Sequence, residues 1–546
     1  MKRYVLLVMC LLLLPVVSAQ SSIDILSVSE GLNQSGSTAT AHLITKPGSG
    51  SIYIDSYPLT RLDTQLSART ARMYACMLAG VDCSSLDFFY QIRAGTTIIG
   101  GPSAGAALTV LSYAELMDLD INRSVTMTGT LSGSGLIGPV GGVEQKVIAA
   151  RNAGFSQVLV PTPESHLAAN VSGIDVVGIS SIEEAVFYVT GVNVQSPYSE
   201  IIVPENYYSQ MESVALQLCE RSDSLRLRVD NVSEQVTEYL SRSAESAAAG
   251  KFYSAASFCF SANLQMQRSV LNDTSQDHLR GVLNQLKADI QLFDDSLDSE
   301  FSSVGDLEVY MVVRERLLES HDIVSRQDIS NISSSDLAYA LERYSSAVAW
   351  SSFFGLFADS SIDLDEKRLQ QACSEQVISA QEQVNYVSYI TGQNIEEVRR
   401  ELRSAMEYQR QEEWALCMWS SVKVRAQADA IITAAYSGDY LNETVSLKHE
   451  RAGNLLAKIT NEGSFPIMSY SYYEYAGELD NVFSKNLYSE YAIALSTLEL
   501  YRDAPSSVSR FDSSRVLLLL AGLAMGFSLG VLSYSSYYSF TSRRKK

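Results

Sequence analysis

The stretch from Glu205 to Phe465 contains no proline, and glycine is sparse in it. Apolar residues recur there at spacings of three and four, as in Leu283, Leu286 and Ile290. This spacing places apolar side chains on one face of an α-helix, and a chain free of proline can continue its helices over many turns. The sequence therefore predicts an all-α region of long amphipathic helices.

The part before this region, from about Ser22 to Val192, has a different composition. It is rich in glycine and in β-branched residues, and short strand-like runs alternate with helical patterns. This alternation predicts an α/β or α+β domain. The strand-like runs are Ala39–Ile44, Ser51–Ile54, Asp87–Arg93, Val125–Thr128 and Gln157–Val160, and the helical patterns are Asp63–Leu78, Ala104–Met117, Glu144–Ala153 and Ile182–Tyr188.

The first residues, 1–19, have the composition of a targeting segment. Lys2 and Arg3 precede a short apolar run, and small residues lead up to Ala19. This pattern is typical of a secretory signal peptide, with an uncleaved signal anchor as the alternative. We therefore expect an exported chain.

The other end predicts a membrane anchor. Residues 516–540 carry no charge and are long enough for a bilayer, which needs about 20 apolar residues. The basic residues at 541–546 favour a cytoplasmic C-terminus, and a serine-rich stalk occupies 504–515. The expected localisation is a single pass through the cell membrane, to which the C-terminal helix binds the chain, with the long middle of the chain extracellular.

Cysteine usage agrees with export. Six cysteines remain once Cys10 leaves with the signal peptide, and an even number outside the cytosol suggests disulfides. Neighbours in sequence suggest one pairing among the many that six cysteines allow: Cys76 with Cys83, Cys219 with Cys259, and Cys373 with Cys417.

Composition also limits the partners and cofactors. The formal net charge of −21 argues against nucleic acid and against anionic lipid as main partners. The sequence has no CxxC or HExxH spacing, so no metal and no other cofactor is predicted. Seven N-x-S/T sequons are candidate glycan sites, at Asn33, Asn122, Asn170, Asn231, Asn272, Asn331 and Asn442.

Ser103 stands in a run of small residues, Gly100–Gly105, that opens an apolar helical pattern. A serine on such a turn is sterically open to attack a carbonyl, and the unpaired N–H groups of the first helical turn can face a developing oxyanion. Taken alone, the same run is more often an ordinary glycine-rich turn.

A nucleophilic serine needs a base, and Lys146 is the candidate. Neither His42 nor His166 has a sequence context that suggests a Ser-His-Asp arrangement. Lys146 follows Gly141 and Gly142 in the first turn of a helical pattern. The helix dipole and burial among apolar neighbours both disfavour its charge, which is what a lysine base requires. The alternative is a solvated surface lysine.

Together these segments resemble the proteolytic domain of the Lon family. The matching pieces are Gly101–Gly105, Met127–Gly129, Gly138–Gly142, the Lys146 helix with Ala149 and Ala150, and Val158–Pro161. A weaker upstream match, Gly48–Ile52 and the Asp63–Leu78 helix, extends the resemblance to roughly residues 38–190. The resemblance implies a serine endopeptidase acting on polypeptides. Ser103 would be the nucleophile that forms an acyl-enzyme, Lys146 its base, and Thr128 a hydroxyl that holds the lysine.

The resemblance also has departures. No GxxxxGK[ST] motif occurs, so no ATP is expected to take part. Thr130 and Ile99–Gly100 differ from the usual family residues at positions of substrate or subunit contact, which leaves a homo-oligomer open. Two other functions stay open as well: a catalytically inactive surface interaction protein, and a surface protein that cleaves its own chain.

The predicted fold class is an α+β Lon-protease-like domain followed by an all-α region and a C-terminal transmembrane helix. The predicted boundaries are 22–195 for the Lon-like domain and 196–503 for the helical domain.

Overall fold

The computed structural model describes residues 21–28, 35–57, 59–95, 101–132, 135–297, 301, 303–357, 366–392 and 395–498. The N-terminal domain contains a seven-stranded mixed sheet and a separate two-stranded ribbon. The sheet comprises β1 (Ser21–Val28), β2 (Gly36–Pro47), β3 (Ile52–Tyr57), β4 (Leu86–Ala94), β5 (Val125–Met127), β8 (Gln157–Pro161) and β9 (Asp175–Ile179), and the ribbon comprises β6 (Thr130–Leu131) and β7 (Ile137–Gly138).

Strand β1 lies at the junction of two kinds of pairing. The sheet order is β3-β4-β2-β1-β5-β8-β9. β1 pairs antiparallel with β2, with Ser21 opposite Leu43, and parallel with β5. β5, β8 and β9 are parallel neighbours, and parallel neighbours require crossover connections. The connection from β5 to β8 carries the ribbon and a helix.

Four helices pack on this sheet, three on one face and one on the other, and the second face stays partly exposed at Tyr53 of β3 and Phe89 of β4. On one face, Tyr74, Leu108 and Val186 of three helices share a core with Phe88 and Ile92 of β4. On the other face, one helix packs its valines against β8. The helices are α1 (Leu62–Ala79), α2 (Gly105–Met117) and α4 (Ile182–Thr190) on the first face and α3 (Val143–Asn152) on the second.

The helical region follows from Glu205 and confirms the all-α prediction. Trp419 is the largest fully buried side chain of its core. The helices are α5 (Glu205–Arg226), α6 (Glu234–Ala248), α7 (Phe252–Asn272), α8 (Gln276–Asp294), α9 (Val304–Ser325), α10 (Ser334–Trp350), α11 (Glu366–Thr391), α12 (Glu396–Arg410), α13 (Trp414–Ser437), α14 (Leu441–Asn461), α15 (Ile467–Glu478) and α16 (Val482–Ser496).

The predicted disulfide pairing is confirmed. One bond closes a short loop at the end of α1, and the other two join α5 to α7 and α11 to α13. The pairs are Cys76–Cys83, Cys219–Cys259 and Cys373–Cys417. The last two bonds therefore connect helices that are separated by another helix along the chain.

A buried ion pair joins the two parts of the molecule. Arg451 of α14 lies 2.7 Å from the Glu183 carboxylate of α4 and also donates to the Tyr74 hydroxyl of α1. Tyr74 in turn donates to Glu183 at 3.0 Å. The helical region thus supplies the cation for a carboxylate of the N-terminal domain.

The predicted fold class needs one correction, because it included a C-terminal transmembrane helix. Across the part of the chain that the structure describes, no helix is both long and apolar enough to cross a bilayer. Long helices there such as α5 and α8 are amphipathic, with polar residues on their exposed faces. The predicted span, 516–540, lies outside the described residues. The fold is accordingly corrected to a mixed α/β domain followed by an all-helical region.

The predicted localisation is corrected with it. Single-pass anchoring in the cell membrane, with an extracellular catalytic domain, depended on that helix. The absence of a membrane-spanning helix among the described residues contradicts this prediction. The signal segment 1–19, the stalk 504–515 and the basic tail 541–546 also lie outside the described residues.

Candidate active site

Ser103 lies on a short 3-10 turn, Pro102–Ala104, that leads directly into helix α2. Gly101 before this turn has a φ of 96°, a conformation that glycine adopts without strain. Ser103 is half-buried, whereas α2 behind it is buried from Gly105 to Ala114. The turn therefore presents the serine at the edge of the core on a firmly packed element.

Asp63, in the first turn of α1, fixes the backbone in front of Ser103. Its buried carboxylate accepts a hydrogen bond from the Gly101 N–H at 2.7 Å. Ser67, one turn further along α1, donates to the Asp63 carbonyl at 2.9 Å and to the Pro102 carbonyl at 3.4 Å. Neither polar side chain belongs to a motif that the sequence reveals.

Thr128 links the serine turn to the sheet. It directly follows β5, is fully buried, and donates its N–H to the Leu159 carbonyl of β8 at 3.0 Å. Its Oγ1 donates to the Ser103 carbonyl at 3.4 Å, and the Gly129 N–H donates to the same oxygen at 3.0 Å. Two successive residues after β5 therefore hold the backbone of Ser103.

Lys146 reaches the same threonine hydroxyl from helix α3. The helix begins after Gly142, whose φ is 68°, and the Lys146 N–H donates to the Gly142 carbonyl at 3.0 Å. The lysine is only 2% exposed, and its Nζ donates to Thr128 Oγ1 at 3.1 Å. A hydroxyl can accept and donate at once, so Thr128 connects Lys146 to the Ser103 carbonyl.

Burial lowers the pKa of Lys146 to about 8, because removal from water disfavours the ammonium. The charge of Glu164 acts in the opposite direction. Lys146 also lies in the first turn of α3, where the helix dipole disfavours a cation. A lysine with this pKa is partly neutral near neutral pH, as a general base must be.

Glu164 is a further residue near the site that no sequence motif indicates. It lies on the 3-10 turn Thr162–Ala168, and its Oε2 accepts a hydrogen bond from the buried Val140 N–H at 2.7 Å. Burial raises its pKa, whereas this hydrogen bond and the charge of Lys146 act to lower it. In the sequence it resembles an ordinary polar turn residue, and only the tertiary contact reveals it.

The two histidines of the N-terminal domain contact other parts of the molecule. His42 lies within β2, opposite Ser22 of β1, and the His166 ring is 3.3 Å from the Tyr440 hydroxyl of the helical region. Within the described ranges, no group of three or more His, Cys, Asp or Glu side chains is arranged to hold a metal ion. The side chains that contact the Ser103 turn are Asp63, Ser67 and Thr128, and Lys146 contacts Thr128.

Residues 71–178 match the family profile of the Lon protease C-terminal proteolytic domain. The N-terminal domain is therefore similar to a Lon-type proteolytic domain over this segment, and we call it the Lon-type domain. The matched segment begins within α1 and ends in β9, so it contains Ser103, Thr128, Lys146 and Glu164, whereas Asp63 precedes it. The match supports a serine peptidase.

Individual relatives agree with the family match. The Lon-type domain is 43% identical over 75 residues to a Lon protease of Phenylobacterium zucineum, covering 14% of this chain and 10% of the relative. It is 30% identical over 106 residues to Lon protease 2 of Bacillus subtilis, covering 19% of each. It is 27% identical over 106 residues to an archaeal Lon protease of Methanocaldococcus jannaschii, covering 19% of this chain and 16% of the relative. The chain thus spans a fifth or less of the length of these relatives.

Proposed function

We propose that the Lon-type domain is a serine endopeptidase that cleaves polypeptides without ATP, with Ser103 as nucleophile and Lys146 as its general base. The observation that supports this most strongly is the position of Lys146. Its side chain is 2% exposed, and it bonds to the same threonine hydroxyl that holds the Ser103 carbonyl. The sequence has no GxxxxGK[ST] motif, so the proposed reaction includes no ATP-driven step.

In this reaction the neutral Lys146 amine takes the proton of the Ser103 hydroxyl while the serine oxygen attacks the peptide carbonyl. The amine then returns the proton to the leaving nitrogen, the C–N bond breaks, and an acyl-enzyme ester remains on Ser103. Water hydrolyses the ester with the same amine as base. Thr128 accepts one N–H of Lys146 and so leaves the nitrogen lone pair for the serine.

The oxyanion of the tetrahedral intermediate requires backbone donors near Ser103. Pro102 has no N–H, and the Gly101 N–H is already bonded to Asp63. The Ala106 N–H donates to the Gly129 carbonyl at 3.2 Å. The Gly105 N–H donates to the Pro102 carbonyl. Of the N–H groups at the start of the turn, we assign that of Ser103 to the oxyanion.

Peptide hydrolysis by the purified protein, without ATP, tests the proposal. The comparison is between wild type, Ser103→Ala and the control Ser269→Ala, which changes an exposed serine of α7. We expect hydrolysis by wild type and Ser269→Ala and its loss in Ser103→Ala. Equal hydrolysis by Ser103→Ala would exclude Ser103 as the nucleophile.

The same preparations distinguish the two alternative functions. A wild-type protein that neither hydrolyses peptides nor reacts with a serine-directed phosphonate would be an interaction protein with an inactive domain. A cut within the wild-type chain that is missing from Ser103→Ala, without hydrolysis of added peptides, would indicate self-processing.

A further inference from the structure

The proposed proton transfer does not use the carboxylate of Glu164. This side chain is 6% exposed, and it lies on a turn whose Ala168 packs in one apolar cluster with Val143 and Val147 of α3. A carboxylate in apolar surroundings is costly unless hydrogen bonds or an opposite charge compensate its desolvation. Glu164 has both kinds of compensation, and both connect it to Lys146.

The first connection runs through the backbone. Glu164 Oε2 accepts from the Val140 N–H at 2.7 Å, two residues before Gly142. A Cβ on Gly142 would lie 3.2 Å from the Val28 side chain, so the turn has little free space. The Gly142 carbonyl accepts the Lys146 N–H at 3.0 Å. Glu164 therefore anchors the turn from which the Lys146 helix starts.

The second connection is electrostatic. Helix α3 packs against β1, β2, β8 and the turn that carries Glu164. Among the charged groups on these elements, Glu164 is the one whose charge acts on Lys146, and His166 acts on Glu164. The other charged or titratable side chains on α3 and on these elements are Asp24, His42, Lys46, Glu144 and Arg151.

We propose that Glu164 is a positioning residue for the general base: its carboxylate anchors the turn at Val140 and holds a negative charge towards the Lys146 amine. This inference rests on the proposed function of Lys146. The two contributions separate chemically. The contact with Val140 needs only an acceptor oxygen, which an amide also offers, whereas the effect on Lys146 needs the charge.

The test is the pH profile of kcat/KM for peptide hydrolysis by the full chain. In Glu164→Gln the amide oxygen can still accept from Val140, but the negative charge is gone. The ammonium of Lys146 is then less favoured, so the rising limb of the profile moves to lower pH by on the order of one unit. Glu164→Ala loses both contacts, and we expect its kcat to fall at every pH.

Glu184→Gln is the matched control. Glu184 also accepts a backbone N–H, that of Ser180 at 2.9 Å, but it lies on α4. Its amide variant should keep the wild-type profile. Glu164→Asp is a second variant, which retains the charge on a shorter side chain, and we expect a lower kcat with the rising limb at the wild-type pH.

An unshifted or alkaline-shifted limb in Glu164→Gln would overturn the role of Glu164 while Ser103→Ala still lacks activity. If Glu164→Gln does not fold, a shifted limb in Glu164→Asp would overturn it instead. Full activity of Ser103→Ala is a separate outcome, because it removes the proposed function itself.

Discussion

The Lys146 ammonium donates to Thr128 Oγ1 at 3.1 Å inside the Lon-type domain. Lysine is almost never fully buried unless its charge is compensated, and this partner is a neutral hydroxyl. The desolvation cost therefore appears as a pKa lowered to about 8. A lysine in this state can give up its proton near neutral pH, and the same property has consequences for activity and for stability.

Replacing Lys146 by arginine should abolish hydrolysis. Arginine keeps its charge throughout the accessible pH range and so cannot act as a base. We expect kcat/KM for a peptide to fall by about a thousandfold or more, as losing a general base implies. The control is Lys46→Arg, which changes an exposed lysine of β2. Wild-type turnover by Lys146→Arg would exclude the lysine as base.

Removing the lysine should also stabilise the fold. The pKa of Lys146 is lower in the folded state, at about 8, than its ordinary value of 10.5. Below pH 8 Lys146 is protonated in both the folded and the unfolded state, and the folded state carries the full cost of desolvating the ammonium. Between pH 8 and 10.5 the folded state loses this proton while the unfolded state keeps it, so the cost disappears. We expect Lys146→Met to raise the free energy of unfolding by about 2–3 kcal/mol at pH 7.

Chemical denaturation at several pH values measures this effect. The advantage of Lys146→Met over wild type should shrink as pH rises through the interval between the folded and unfolded pKa values. A variant less stable than wild type at pH 7, or an advantage that grows with pH, would contradict a desolvated lysine.

Thr128→Val should reduce activity without loss of the fold. Valine keeps the shape of the side chain but cannot bond to Lys146 or to the Ser103 carbonyl, and misplaced catalytic groups cost on the order of a hundredfold in rate. Thr126→Val is the matched control, because this buried threonine of β5 donates instead to the Asp24 carbonyl at 2.9 Å. Similar kinetic losses in both variants would argue against a specific role for Thr128.

Arg451→Met should destabilise the whole chain. It leaves the Glu183 carboxylate buried without its cation, which costs about 3–5 kcal/mol for a broken buried pair. Adding Glu183→Gln should recover much of this loss, and denaturant unfolding measures both variants. Arg326→Met, in an exposed pair with Asp322, is the control and should have little effect. An equally small effect of Arg451→Met would mean that the domain contact contributes little.

Local sequence signals were sufficient to predict the backbone form around Ser103 and Lys146, the two proposed catalytic residues. Each follows a glycine-containing turn that opens a helix, and the turns before α2 and α3 have that form in the structure. The spacing of apolar residues likewise predicted the helical region, because amphipathic periodicity is set by the helix itself. The disulfide pairs were found because each cysteine bonds with its neighbour along the sequence.

Asp63 and Glu164 could not be found in this way. Asp63 reaches Gly101 across 38 positions, and Glu164 reaches Val140 across 24, so neither belongs to a local pattern. Strand β1 was also missed, since its buried residues do not alternate strictly. These features depend on which elements become neighbours in space, and one sequence does not specify that directly.

The rate at which a serine-directed fluorophosphonate modifies Ser103, followed by mass spectrometry as a function of pH, tests directly whether Lys146 activates the serine. We predict that the rate for wild type rises with a midpoint near pH 8, following the pKa of Lys146. Ser103 of Lys146→Met should react at about one hundredth of the wild-type rate or below, as expected for a nucleophile without its base. Modification of Ser103 at the wild-type rate in Lys146→Met, with no dependence on pH, would contradict the Ser103–Lys146 mechanism.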